Sequence, residues 1–161
     1  MDEEKGKVMS RTSSFGEQQF YGVTSEASFE KGTVFVIMSF DEKNDDVYSA
    51  IQDECKKNKL KAKRADQVGG SGLILRKIVK MIEDAEFLIV DLTDGKPNVY
   101  YELGYAHGVG NEEYDILLIA KEGTELPCDV ASLSVHFYSS TEHLRKIVYE
   151  QLKRMIKETR R

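Results

Sequence analysis

The sequence predicts a three-layer α/β/α fold in which a five-stranded parallel sheet is wound on both faces by helices, and three observations carry that expectation. Short, β-branched apolar runs alternate with longer stretches of helical period, and turn-forming residues stand between the two kinds of segment. A parallel connection needs a crossover, and crossovers are right-handed. Single helices between consecutive strands therefore place cover on both faces of one sheet.

The first strand begins at Thr33, where residues 34–38 read Val-Phe-Val-Ile-Met, a run that suits a strand buried on both faces. Asn44 or Asp45 is placed to cap a helix reaching about Lys57, with Val47, Ile51 and Glu54/Cys55 along one side. Residues 60–65 form a short second strand. The loop Asp66-Gln-Val-Gly-Gly-Ser-Gly72 then leads into a helix from about Leu73 to Asp84, whose apolar positions are Leu75, Ile78, Val79 and Ile82. Residues 86–92 read as the third and most buried strand, ended by Thr93-Asp-Gly-Lys-Pro97, where proline cannot donate to a ladder. A helix from about Asn98 to Gly108 follows, then a fourth strand over residues 114–120 and a fifth over 133–138. Thr141 with Glu142 opens a long final helix to about Thr159, with Leu144, Ile147, Val148, Leu152 and Met155/Ile156 on its apolar face.

Residues 1–31 show no sustained period and read as an N-terminal extension, which leaves residues 32–161 as one domain. A chain of 161 residues has room for one core. Phe15, Phe20, Tyr21 and Phe29 exceed what a purely solvated tail needs, so part of the extension is expected to dock on the domain or on a partner. With 40% apolar and 32% charged residues the composition is that of a soluble globule, and every apolar run is far too short to span a bilayer. The opening Met-Asp-Glu-Glu-Lys lacks the pattern of a secretory signal, so a cytoplasmic protein is expected. A net charge of −5 argues against nucleic acid as a partner. Cys55 and Cys128 read as free thiols, and His107 and His136 are isolated, so no metal is expected.

Five strand–helix units suggest the flavodoxin-like order 2-1-3-4-5, in which ligands bind beyond the carboxyl ends of the strands, where the strand order reverses. Four loops should meet there: residues 39–41, 66–72, 91–98 and 121–123. Glu102 lies one turn after Asn98 on the same helix face, and Tyr105 with Ala106 continues that face. Near a helix start the macrodipole favours an ionised carboxylate, which can attack or stabilise an oxocarbenium-like sugar carbon; the plainer reading is a surface Glu complementing the dipole. Asp91 has two readings, a ribose contact or a cap holding the next turn. Asn98 is likewise a ligand contact or an N-cap. Gly69-Gly-Ser-Gly72 can offer N–H groups to a phosphate or simply supply flexibility, and it lacks the P-loop ending. Ser39 has no His partner in a triad pattern.

The stretch Val90-Asp-Leu-Thr-Asp-Gly-Lys-Pro-Asn-Val-Tyr-Tyr-Glu-Leu-Gly-Tyr-Ala-His107 resembles the signature of the nucleoside 2-deoxyribosyltransferase-like superfamily. That resemblance implies that Glu102 is the nucleophile that attacks the sugar C1′ and expels the base. The opening strand ending in Ser39-Phe40 is similar to that of TIR domains, whose catalytic members place a Glu on the corresponding helix and cleave NAD. Both likenesses imply cleavage of a C1′–N bond in a nucleoside or nucleotide, with NAD as one conceivable substrate, no resident cofactor, and a homo-oligomeric assembly. Ser39, Phe40, Asp66, Gln67, Asp91, Asn98 and Tyr101 are then the expected substrate contacts, with Phe40 as a platform for the base. The family's further base-positioning carboxylates match only loosely, at Asp66 or Gln67. The Ser and Cys that typically precede the TIR glutamate are absent.

Overall fold

The structure is a computed structural model that describes residues 9–11, 27–67 and 74–160. The Gly69–Gly72 segment and Phe15, Phe20 and Tyr21 lie outside the described residues. In chain order the elements are β1 (Met9–Arg11), β2 (Ala27–Ile37), α1 (Asp45–Lys57), β3 (Lys61–Lys63), α2 (Ile74–Asp84), β4 (Ala85–Asp91), α3 (Pro97–Gly108), β5 (Ile116–Lys121), α4 (Cys128–Ala131), β6 (Val135–Tyr138) and α5 (Thr141–Thr159).

The five parallel strands run β3-β2-β4-β5-β6, which is the order 2-1-3-4-5. β4 is buried at every position and sits at the centre, with Val34 opposite Phe87 on one side and Leu88 opposite Ile116 on the other. Successive side chains of a strand point to opposite faces, so one sheet feeds two cores. Val34, Val36 and Met38 pack with α1 and α5 through Ile51, Leu144, Val148 and Leu152; Phe35 and Ile37 pack with α2 and α3 through Ile78, Ile82, Val99 and Leu103. Each fully buried side chain of this kind contributes about 1.5–3 kcal/mol.

The first strand departs from the sequence expectation. It begins at Ala27 rather than Thr33, and its early part pairs antiparallel with β1, Met9 opposite Phe29. Its register to β4 shifts between Glu30 and Val34, and Gly32 sits there at φ +87°, a conformation other residues rarely adopt. The second strand is shorter than residues 60–65, and a single 3₁₀ turn, Ala65–Gln67, follows it. α5 does start at Thr141, and Ser140 caps it, its hydroxyl accepting from the His143 N–H at 3.1 Å. Asn44 holds the N-cap position of α1 but makes no side-chain cap hydrogen bond there; its amide donates to Asp94 at 2.8 Å instead. At the amino end of the sheet Arg160 grips the buried Glu86 with two 2.7 Å hydrogen bonds, fastening the end of α5 to β4. Cys55 is buried and Cys128 exposed, both as free thiols, and no helix among the described residues is long and apolar enough to cross a membrane.

Candidate functional site

Proline at the first position fixes where α3 starts. Lys96 takes the N-cap place in an extended conformation, so Asn98 lies inside the helix instead of capping it. That two-residue difference in the cap position frees the Asn98 amide to donate to the carboxylate of Glu102, one turn further on. Glu102 is only 8% exposed. It closes a cavity of about 350 Å³ at the carboxyl end of β2, beside the point where the strand order reverses.

The cavity wall is almost wholly apolar. Residues 35–37 of β2 with Met38 just beyond it form the back, Ala65, Ile74, Leu75 and Ile78 one side, and Phe40, Asn98, Tyr101 and Glu102 the other. Phe40, Ile74, Leu75 and Tyr101 are 48%, 72%, 51% and 61% exposed, so an apolar and aromatic mouth stands open to solvent around one buried acid. Burial pushes the Glu102 carboxyl up to about 7, against the hydrogen bond from Asn98 that pulls it down. The expectation that the macrodipole favours an ionised Glu102 is outweighed here by burial. A helix dipole acts within the first turn, whereas Glu102 lies in the second turn among apolar side chains.

Of the expected substrate contacts whose side chains are described, Phe40, Asn98 and Tyr101 meet Glu102 at this cavity, and Ser39, Asp66 and Asp91 do not line it. Asp91, 6% exposed, accepts from the Thr93 N–H at 3.0 Å, the Thr93 hydroxyl at 2.5 Å and the Tyr138 hydroxyl at 3.3 Å. Burial holds its carboxyl above the usual range in spite of these donors. The Thr93 hydroxyl also accepts the Lys121 N–H at 3.0 Å, so the turn after β4 ties together the ends of β4, β5 and β6, and residues 121–123 belong to that knot. Ser39 donates to Asp41 at 3.0 Å. Asp66 is engaged by Arg64 through two 2.7 Å hydrogen bonds, and the side chain of Gln67 lies outside the described residues. Tyr105 turns away to hydrogen-bond Glu83.

Arg64 was not foreseen, because it ends a run, Lys61-Ala-Lys-Arg64, that reads as a solvated charged edge. It is 5% exposed, with its guanidinium 4.4 Å from the Tyr48 ring centroid and 5.6 Å from that of Phe40. The fork to Asp66 and the two rings fix it in place, so Phe40 rests on a rigid cationic support. At the rim Lys43 pairs with Asp94 at 3.0 Å and Lys96 with Asp41 at 3.9 Å.

A larger cavity of about 700 Å³ opens at the other end of the sheet, by the amino ends of β5 and β6, lined among others by His107, Tyr114, His136 and Arg154. Size does not make it the better site. Its acids, Glu112 and Glu113, are exposed, and burial lowers the pKa of both histidines, which favours their neutral form. Among the described residues no group of three His, Cys, Asp or Glu is arranged to hold a metal.

No protein-family model matches the chain, and no characterised protein matches it in sequence. Its fold is similar to that of a CMP N-glycosidase, BcmB, from Clostridium botulinum, with a TM-score of 0.58 and 12% identity over 74% of this chain and 99% of that one. It is also similar to a flavo di-iron protein from Thermotoga maritima, with a TM-score of 0.55 and 17% identity, over 80% of this chain and 37% of that longer one. At such identities the likeness shows a shared flavodoxin-like fold and nothing finer.

Proposed function

We propose that the protein cleaves the N-glycosidic bond of a nucleoside or nucleotide, with Glu102 as the nucleophile. The observation that carries this reading is a buried carboxyl, held by one amide and otherwise unpaired among the described residues, facing an open apolar cavity at the strand-order reversal. A pKa of about 7 leaves a working fraction of carboxylate at neutral pH. The ionised oxygen attacks C1′, the C1′–N bond breaks with its electron pair going to the base, and water or a second base releases the sugar from the glycosyl ester. Phe40 stacks on the base, and Asn98 and Tyr101 border the sugar. Asp91 takes the architectural role. The fold shared with a CMP N-glycosidase supports this reading without specifying the substrate.

Incubating the protein with NAD and a panel of ribo- and deoxynucleosides, followed by chromatography, tests it. Free base is expected from at least one of them. Release by wild type no greater than by Glu102→Gln sinks the proposal.

A second reading is a non-catalytic ligand-binding module that self-associates, favoured by the half-open Phe137 on the edge strand β6 and Leu133 just before it, 40% and 37% exposed. Light scattering with and without nucleotides separates the two, since this reading requires an assembly and a bound nucleotide without turnover.

A further inference from the structure

Phe40 is the exposed end of a stack that begins in the core. Tyr48 on α1 is 3% exposed, Arg64 just beyond β3 5% and Phe40 48%. The Arg64 guanidinium lies over both rings, 4.4 Å from the centroid of Tyr48 and 5.6 Å from that of Phe40. Tyr48 and Arg64 do not line the Glu102 cavity, whereas Phe40 does. Phe40 therefore stands between a buried cation and the space where a ligand's ring would lie.

The guanidinium is closely held. Its Nε and Nη2 donate to the two oxygens of Asp66, each at 2.7 Å, and Nη2 also reaches Asp45 at 3.4 Å. The third nitrogen, Nη1, is buried and meets no hydrogen-bond acceptor among the described residues. The faces of Tyr48 and Phe40 are then what answers the rest of its charge. Stability alone does not ask for this arrangement. Stripping water from a guanidinium is costly, a buried N–H without an acceptor adds to the cost, and an apolar side chain of similar volume in such a place is often neutral or stabilising. What the arrangement does supply is a fixed plane for Phe40. A half-exposed ring without such a support turns among rotamers, and a ligand that stacks on it has to stop that motion; a ring pinned on a cation has already lost it.

We infer that Arg64 is a positioning residue, which touches no substrate but holds the Phe40 ring in the orientation on which a ligand's flat ring stacks. It thereby sets affinity rather than the rate of the chemical step. The inference rests on the reading of Phe40 as the platform for the base, given above.

The test is a double-mutant cycle on ligand binding. Dissociation constants of adenosine, cytidine and NAD are measured by calorimetry for wild type, Arg64→Lys, Phe40→Leu and the double variant, with kcat and KM added for any probe that is turned over. Lysine keeps the charge beside Asp66 but has neither the fork nor the plane of a guanidinium. Arg64→Lys is expected to weaken the best-bound probe about tenfold, with kcat within about twofold of wild type. In the Phe40→Leu background the same substitution should change affinity by less than about twofold, because the ring it acts through is gone. Equal losses from Arg64→Lys in both backgrounds, or a fall in kcat with KM unchanged, overturns the inference. A measurement that leaves Arg64 in place covers the case in which Arg64→Lys does not fold. The Arg64 Nε–H is followed by nitrogen–proton NMR as the probe is added, and its signal should shift in wild type but stay in place in Phe40→Leu at matched occupancy. A signal that does not move when wild type is saturated also overturns the inference. A probe bound through Arg64 and Phe40 but never cleaved tells against the glycosidase reading alone, and cleavage whose KM ignores Arg64 tells against this inference alone. A protein that neither binds nor cleaves any of the three probes overturns both.

Discussion

Two buried acids lie at the carboxyl end of this sheet, and they teach opposite lessons. Asp91 and Glu102 are 6% and 8% exposed, and burial raises the pKa of both. Asp91 is saturated by Thr93 and Tyr138, which spend its acceptor capacity on joining three strand ends. Glu102 receives one amide hydrogen bond and otherwise meets a cavity. Burial and a shifted pKa are common to structural and chemical carboxylates. What distinguishes them is whether the protein itself has already satisfied the group.

The sharpest way to break this comparison is to neutralise each acid. Glu102→Gln should lower turnover by at least about 10³-fold, because an amide cannot form the glycosyl ester, while its melting temperature matches wild type near pH 4.5 and does not fall below it at higher pH. Turnover in Asp91→Asn should stay within about tenfold of wild type per folded molecule, since Asp91 touches no reacting atom. Equal losses in the two variants would erase the distinction.

Stability should answer in reverse. Asp91→Ala strands two buried or half-buried hydroxyls and a backbone N–H, and should cost about 1–3 kcal/mol, or about 2–4 °C per kcal/mol in a domain of this size. Differential scanning calorimetry reads this directly, and an unchanged melting temperature would contradict the architectural role.

The pH dependence of stability sharpens the contrast further. The folded Glu102 titrates near 7 and the unfolded one near 4.5, so the native state holds a proton that the unfolded chain releases in between. Its contribution is therefore complete below about pH 4.5 and is lost as pH rises through about 7. Wild type should lose about 1–2 kcal/mol relative to Glu102→Gln between pH 4.5 and pH 8, a figure discounted for water at the open mouth. Denaturant midpoints at the two pH values check the sign.

The smallest effect belongs to Asn98. Its amide favours the ionised Glu102, so Asn98→Ala should move the acid limb of the pH–rate profile upward by roughly half a unit from about 7. A downward shift would mean that Asn98 bonds the protonated form.

The strand order and most of the helix boundaries were legible because a doubly wound sheet leaves a clear trace: two-sided burial makes β4 continuously apolar, and α1 and α5 carry unbroken faces such as Leu144, Val148 and Leu152. The beginning of β2 was not legible. Ala27–Gly32 has neither alternation nor β-branched residues, and is held by pairing with β1 and by a bulge at Gly32. The four-residue α4 is too short to show a period. At the site, Glu102, Asn98, Tyr101 and Phe40 were readable from spacing on one helix and one strand end. The ionisation state of Glu102 depends on apolar walls contributed by β2 and α2, and the buried Arg64 on rings from elsewhere in the chain; neither is local information. Asp91 could be read as a ligand contact because its donors, Thr93 and Tyr138, include one that is 47 residues away in sequence.

The most direct measurement is to trap the glycosyl ester. A nucleoside whose sugar bears fluorine at C2′ forms such an ester and hydrolyses it slowly, so peptide mass spectrometry after incubation should find the fluorinated sugar on Glu102 and nowhere else. A wild-type protein that releases the base of that probe while Glu102 remains unmodified, or that carries the sugar on Asp91 instead, would contradict the account.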